Sequence, residues 1–299
     1  MNRRLRVIFA VLLVSGALLL GSMGSADVPA RAADRPSADD ATATDPITID
    51  PGTAGTLAAI QARGTLVMLC FPHEESSFVR TMVRELGPDG IDRYAGIDID
   101  LMRRFADELG VTLTVRPVRS TFAALIPALL RGEGDLIANA LASTDTRRQQ
   151  VRFSTPYLTS SEAIVTPRWR TVDALASLRG LRASVVSGTI HEEVLLRADI
   201  PDLRRHAAVF PLETFTAVAD GDADFTIASL RSAKRALASY RALDEALHIA
   251  LRLPAAVDYG VAVAPRSDLL PYLDRFLTRV QRDGTLKAMM AAHDFEPEE

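Results

Sequence analysis

Asp135-Leu-Ile-Ala-Asn-Ala-Leu-Ala-Ser-Thr-Asp-Thr-Arg-Arg-Gln-Gln-Val-Arg-Phe-Ser-Thr-Pro-Tyr157 is the stretch on which the reading of this chain turns. An apolar strand runs out through small residues into a capped turn that carries Arg147, and a second apolar segment and Pro156-Tyr157 follow. A strand end that presents small side chains beside one fixed guanidinium suits a small carboxylate. The planar fork of arginine matches the two carboxylate oxygens, and the small neighbours leave room for the rest of the molecule.

Working outward, strands and helices alternate. Residues 57–63 read as a short helix and 65–71 as a buried strand bounded by Gly64 and Pro72. Residues 96–110 place Leu101, Met102, Phe105 and Leu109 on one helical face, with Gly110 closing the helix. A strand over 111–115 and a helix over 122–130 follow, and Gly132 and Gly134 turn the chain into Leu136-Ile137. This β-α-β-α-β rhythm predicts parallel, doubly wound sheet. The pattern then repeats. A strand at 181–186, a turn at 187–189 and a helix at 192–197 lead to a strand unit starting at Val209, a helix at 215–219 and a strand at 225–228. Helix 232–240, strand 259–264, helix 269–283 and a last helix from Gly284 complete it. Two α/β units with a C-terminal portion left over imply a chain that crosses twice between two lobes.

The composition is that of a soluble globular protein: 299 residues, 48% hydrophobic and 24% charged. The net charge is −4, or −7 without the leader arginines Arg3, Arg4 and Arg6, which argues against nucleic acid as a partner. One cysteine, Cys70, excludes an internal disulfide and reads as a small core hydrophobe. The five histidines show no metal-ligand spacing; His191-Glu192-Glu193 begins like a zinc-protease helix, but Leu195 stands where the second histidine is needed. No metal and no cofactor are expected. Arg3, Arg4 and Arg6 precede an apolar run at 7–20 and small residues, so residues 1–26 read as a signal peptide, with an uncleaved anchor as the alternative. Residues 27–55, rich in Ala, Asp, Pro, Thr and Ser, read as a disordered tether.

With Tyr94-Ala-Gly-Ile-Asp-Ile-Asp-Leu101 upstream, the quoted stretch resembles the family 3 bacterial extracellular solute-binding proteins over residues 56–295. The resemblance implies an α/β, two-lobed periplasmic-binding-protein type II fold: two doubly wound sheets joined by two hinge crossings, near 157–161 and 255–259. Lobe 1 would be residues 56–158 and 259–299, and lobe 2 residues 159–258. In the second lobe, Gly188-Thr-Ile-His-Glu-Glu-Val-Leu195, Ala223-Asp-Phe-Thr-Ile-Ala228 and Pro265-Arg-Ser-Asp268 are similar to the binding domain of membrane-bound lytic murein transglycosylase F, without its catalytic domain. The implied protein is a periplasmic monomer that closes over a small carboxylate-bearing solute for an ABC-type importer. Ligand sensing through a membrane receptor is the second outlet. Cyclohexadienyl dehydratase uses the same scaffold as an enzyme, and Glu192 or Glu193 could serve as its acid; both also read as first-turn helix acids.

The resemblance also assigns candidate ligand contacts. Arg147, at the Thr144-x-x-Arg147 position, would clamp the carboxylate; a solvated arginine paired with Asp145 is the plainer reading. Thr189 or its neighbours would offer backbone N–H groups at a helix start. Asn139, Ala140 and Ala142 occupy the strand end that offers carbonyls to an ammonium group, and Phe122 an aromatic position equally suited to core packing. Ser229 stands where amino-acid binders carry an aspartate for that ammonium. Because an unpaired buried charge costs several kcal/mol, roughly, a standard α-amino acid is disfavoured unless Glu74 or Glu75 reaches in. Asp98 and Asp100 read as caps of the 96–110 helix, Asp98 nearer the cleft. Residues 72–93 are longer than the family norm; Phe78, Met82, Val83 and Leu86 recur at helical spacing there.

Overall fold

Short apolar strands alternate with amphipathic helices because each helix buries one stripe against a sheet face. The computed structural model describes residues 50, 52–72, 78–81 and 94–295. The leader, most of the tether, Glu74, Glu75 and the helical spacing beyond Thr81 lie outside these residues. In chain order the elements are α1 (Leu57–Arg63), β1 (Thr65–Cys70), β2 (Arg80–Thr81), β3 (Tyr94–Ala95), α2 (Ile97–Glu108) and β4 (Thr112–Pro117). A 3-10 turn (Phe122–Ala124) leads into α3 (Leu125–Leu130), then β5 (Leu136–Ala142), α4 (Asp145–Arg148), β6 (Arg152–Phe153) and β7 (Leu158–Pro167). A second short 3-10 turn precedes β8 (Arg182–Val186), α5 (Ile190–Arg197), β9 (Arg204–Ala208), α6 (Pro211–Ala219), β10 (Phe225–Ser229) and α7 (Leu230–Ser239). The chain continues through α8 (Arg241–Ala246), β11 (Leu247–Val263), α9 (Leu270–Arg282) and α10 (Thr285–Ala292).

Among the described residues the principal sheet runs β4-β1-β5-β11-β7-β10-β8-β9. Its two ends are parallel triplets, β4-β1-β5 in the first half and β10-β8-β9 in the second. The fold is two-lobed, with β7 and β11 linking the halves. The expectation of purely parallel sheet needs correction: β5–β11, β11–β7 and β7–β10 are antiparallel. A parallel neighbour needs a helical crossover. The parallel triplets at the two ends have such helices between their strands, whereas β7 and β11, the strands that pass between the halves, pair antiparallel with each other and with β10 and β5.

Apolar residues lie on both faces of each half. All six residues of β1 are buried, as expected of a strand covered on both sides. One face of the first half packs Leu66, Met68 and Leu136 against Leu101 and Phe105 of α2 and Leu273 and Phe276 of α9. Its other face packs Leu69 and Ile137 against Leu125 and Leu129 of α3. In the second half Ile164, Val185 and Ile227 meet Leu195 of α5, while Val165 and Ala228 meet Phe215 of α6 and Ala233 of α7. Within the segment read as tether, Ala54 is buried and the Gly55 N–H donates to Asp135 Oδ1 at 2.9 Å. Asp135 also accepts from Val67 N and pairs with Arg63, pinning α1 to β1.

Two strands differ in place or length from the sequence expectation. The strand expected to start at Val209 is Arg204–Ala208, an edge strand whose Arg-Arg-His start is largely exposed and therefore shows no apolar run. The strand expected over 259–264 is the end of the 17-residue β11.

Candidate functional site

The strand end in the opening stretch is reshaped by a bulge. Leu141 pairs with Gly260 and Ile137 with Ala262, so residues 138–140 of β5 stand opposite Val261 alone. Bulges of this kind re-aim side chains and backbone at the edge of a site. Here the extra residues bring Ala140 to φ 44°, a left-handed conformation uncommon for a non-glycine residue. Asp98 holds it there: the Ala140 N–H donates to Asp98 Oδ2 at 2.7 Å. Asn139 Oδ1 accepts from Phe71 N at 2.7 Å and ties the bulge to the end of β1.

Asp98 is therefore not a helix cap. Gly96 occupies the N-cap of α2 with no side-chain cap bond, and Asp100 instead pairs with Arg103 and lies 2.8 Å from His293 Nε2. Asp98 is fully buried behind the cavity wall. Burial pushes its carboxyl up to about 6, against the Tyr157 hydroxyl and the Ala140 N–H, which both favour the anion. Burial and the neighbouring Asp98 in turn hold the Tyr157 phenol well above its usual value. Because the folded pKa of Asp98 exceeds the 3.8 of a free aspartate, the folded state binds the proton more tightly. Its contribution to stability is thus full below about pH 4 and is lost as pH rises through about 6, a change on the order of 3 kcal/mol. In urea unfolding, Asp98→Asn should gain stability relative to the parent by about that amount between pH 4 and pH 7. A difference that does not change with pH would contradict the assignment.

Arg147 sits on α4, whose N-cap Thr144 accepts from the Arg147 N–H through its side chain. Arg147 is 7% exposed; its Nη1 donates to Ala142 O at 2.8 Å and its Nη2 to Gly188 O at 2.9 Å. Phe122 lies 5.8 Å from its central carbon and packs edge-on against Phe71. Burial lowers the Arg147 pKa, with Glu193 and Tyr259 opposing the shift. Arginine carries five N–H donors, so about three remain after the two carbonyl bonds. Asp145 is not its partner; the plainer reading of a solvated arginine does not hold for a side chain this buried.

Gly188 belongs to the second half, in the loop between β8 and α5, and the Arg147 bond crosses the cleft. So do a Thr146 to Glu193 hydrogen bond at 2.9 Å and the close approach of Gly188 to Ala123. The start of α5 is built by side chains folding back: Glu192 Oε2 accepts from Gly188 N, and the Thr189 hydroxyl donates to Val186 O. Glu192 is further paired with Arg205, and Glu193 with Arg197. Both behave as helix-start acids, and neither lines the cavity.

Between the halves lies a cavity of about 140 Å³. Arg147, Asn139, Ala140, Ala142, Phe122, Thr189 and Ser229 all line it; Asp98 does not. Among the lining residues not expected from sequence are the polar His191, Tyr259 and Arg231. Beneath them, buried Glu162 accepts from the Tyr259 hydroxyl at 3.0 Å and lies 2.9 Å from His191 Nε2. Glu162 is the cross-strand partner of Ser229. A glutamate inside Leu158–Pro167, a strand otherwise of small, polar and apolar residues, was the available signal. Cys70 is buried at the end of β1, and burial pushes its thiol up to about 12, as a core residue and not a nucleophile.

A two-lobed α/β chain with a guanidinium fixed across its cleft is a solute-binding protein of the Venus-flytrap class. Residues 86–295 match the family "Bacterial extracellular solute-binding proteins, family 3", and the chain belongs to that family. It is similar to membrane-bound lytic murein transglycosylase F of Idiomarina loihiensis, 40% identical over 146 residues, which is 46% of this chain and 31% of that protein. The protein of the same name from Pseudomonas fluorescens is 30% identical over 202 residues, 65% of this chain and 40% of that one. The chain thus spans less than half the length of these relatives.

Among solved structures, the arginine-bound form of truncated ArgBP from T. maritima is 26% identical with a TM-score of 0.63, covering 75% of this chain and 99% of that one. The ancestral amino-acid-binding protein AncCDT-1, a precursor of cyclohexadienyl dehydratase, is 25% identical with a TM-score of 0.65, covering 79% and 98%. The chain is an exported solute-binding protein of that family. Its described region corresponds to a solute-binding module.

Proposed function

We propose that residues 56–158 with 259–299 and residues 159–258 are two lobes that close over a small carboxylate-bearing solute, which the protein delivers to an ABC-type importer. The buried Arg147 guanidinium carries this reading. It is oriented by Ala142 O from its own strand and Gly188 O from the opposite half, and it lines the cavity. Carbonyls on two separate elements fix the plane of the fork before any ligand arrives, so its remaining donors need little reordering to accept an acid group. Asn139, Ala140 and Ala142 would form the floor beside it, Phe122 a wall, and Thr189 and Ser229 the opposite rim. The start of α5, with the partial positive charge of a helix N-terminus, favours an anion from the same side.

Thermal unfolding in the presence of monocarboxylates, dicarboxylates, hydroxy acids, amino acids and short peptides tests the reading. Native-state binding at a hundredfold excess over Kd adds about 2.7 kcal/mol, enough to raise the midpoint by several degrees. At least one carboxylate class should produce that rise. Stabilisation by neutral sugars or amines alone would overturn the proposal.

A further inference from the structure

We propose that the body of the solute is an aromatic ring: an aryl acid or aryl amino acid whose carboxylate meets Arg147 while its ring packs among phenylalanine side chains. The inference rests on the carboxylate reading above and names what lies behind the acid group. Phe122 stands next to the anchor, its ring centre 5.8 Å from the Arg147 guanidinium carbon. Phe71, just past β1, follows edge-on with the ring centres 6.3 Å apart. It is itself stacked at 5.8 Å on Phe210, which holds the N-cap position of α6 in the second half. A row of rings therefore leads from the guanidinium across the cleft.

Phe78 and Phe295, edge-on to each other at 5.0 Å, line the same cavity as Phe71, Phe122 and Phe215. These five rings come from three separate apolar clusters. Phe71 and Phe122 belong to the α3 face of the first half, Phe78 and Phe295 to its α2 and α9 face, and Phe215 to the α6 face of the second half. Core packing alone would turn each ring into its own cluster. Instead Phe78 and Phe122 stay half-buried at the margins of theirs, and all five meet at one cavity. Rings can also hold a cation. Here Phe122 and Phe295 already lie against the chain's own guanidiniums, those of Arg147 and Arg231, the latter 3.8 Å from the ring centre. A hydrocarbon ring uses the edges and remaining faces, in the edge-to-face and offset arrangements that aromatic pairs prefer. The volume agrees: about 140 Å³ is close to the roughly 150 Å³ of a site that admits benzene.

Calorimetric titration of the purified protein with phenylacetate, 3-phenylpropionate and L-phenylalanine, beside butyrate, lactate, L-glutamine and L-arginine, tests this. Burying a phenyl group is worth roughly tenfold to a hundredfold in affinity. At least one aryl acid should therefore bind about tenfold or more tighter than every non-aromatic carboxylate in the set. Phe122→Leu stays apolar at a half-buried position but loses the ring, and should lower aryl-acid affinity about threefold to tenfold more than butyrate affinity. Arg147→Ala should weaken every acid. Butyrate, lactate, L-glutamine or L-arginine binding as tightly as the best aryl acid overturns this inference and leaves the carboxylate reading standing. So does an aryl preference that Phe122→Leu does not reduce. Carboxylate binding indifferent to Arg147, or none at all, overturns both.

Discussion

Arg147→Ala should lower carboxylate affinity by about thirtyfold to several thousandfold while the protein still folds. The size of the effect follows from burial. Arg147 is buried and has given up most of its water, and two of its N–H groups are already spent on Ala142 O and Gly188 O. A ligand carboxylate reaching the remaining donors forms a charge-assisted pair in a water-poor site, where removing one partner costs about 2–5 kcal/mol. The fold loses only the two carbonyl bonds, so the unliganded variant should drop by about 1–3 kcal/mol in urea unfolding. Arg147→Lys keeps the charge but not the fork and should recover only part of the affinity. Carboxylate binding unchanged in the alanine variant would remove Arg147 from the site.

The second large effect is expected at Gly188, where strain and closure can be separated. Gly188 has φ 76°, and a Cβ added there would lie 2.4 Å from Ala123 Cβ in the other half. Ordinary carbon contacts lie at about 3.5–4.0 Å, so the halves would have to part by roughly an ångström or more. Gly180 has nearly the same backbone, φ 71°, with nothing within 4 Å of its added Cβ. Gly180→Ala and Gly188→Ala should each lose about 1–2 kcal/mol of stability to the left-handed conformation. Only Gly188→Ala should also lose ligand affinity, by about tenfold or more, because the closed arrangement is the one it obstructs. Equal affinities in the two variants would mean that the Gly188–Ala123 approach is not part of the bound state.

Much of this could be read from residue order. The repeated strand–helix alternation carried the two-lobed fold, and Thr144-x-x-Arg147 carried the guanidinium, because capping and the i, i+3 relation are local. What escaped was non-local. The bulge that turns Ala140 to positive φ has no glycine to announce it; it exists because Asp98, some forty residues away, accepts from its N–H. Near its start the strand Leu158–Pro167 carries Ser160-Ser161-Glu162, polar residues that are buried because the strand lies between the halves and its polar groups face Tyr259, Arg252 and His191. Arg231 follows Ser229 by two residues, but only the start of α7 at Leu230 brings it to the cavity. The capping role expected of Asp98 failed for the same reason: its hydrogen-bond partner is the Ala140 N–H of β5, not a group of its own helix.

A crystal structure of the protein grown with the carboxylate that raises the unfolding midpoint most is the most direct test. The account predicts an acid group within hydrogen-bonding distance of the Arg147 guanidinium, enclosed between the bulge of β5 and the first turn of α5. Density for that molecule elsewhere, with Arg147 turned out into bulk water, would contradict it.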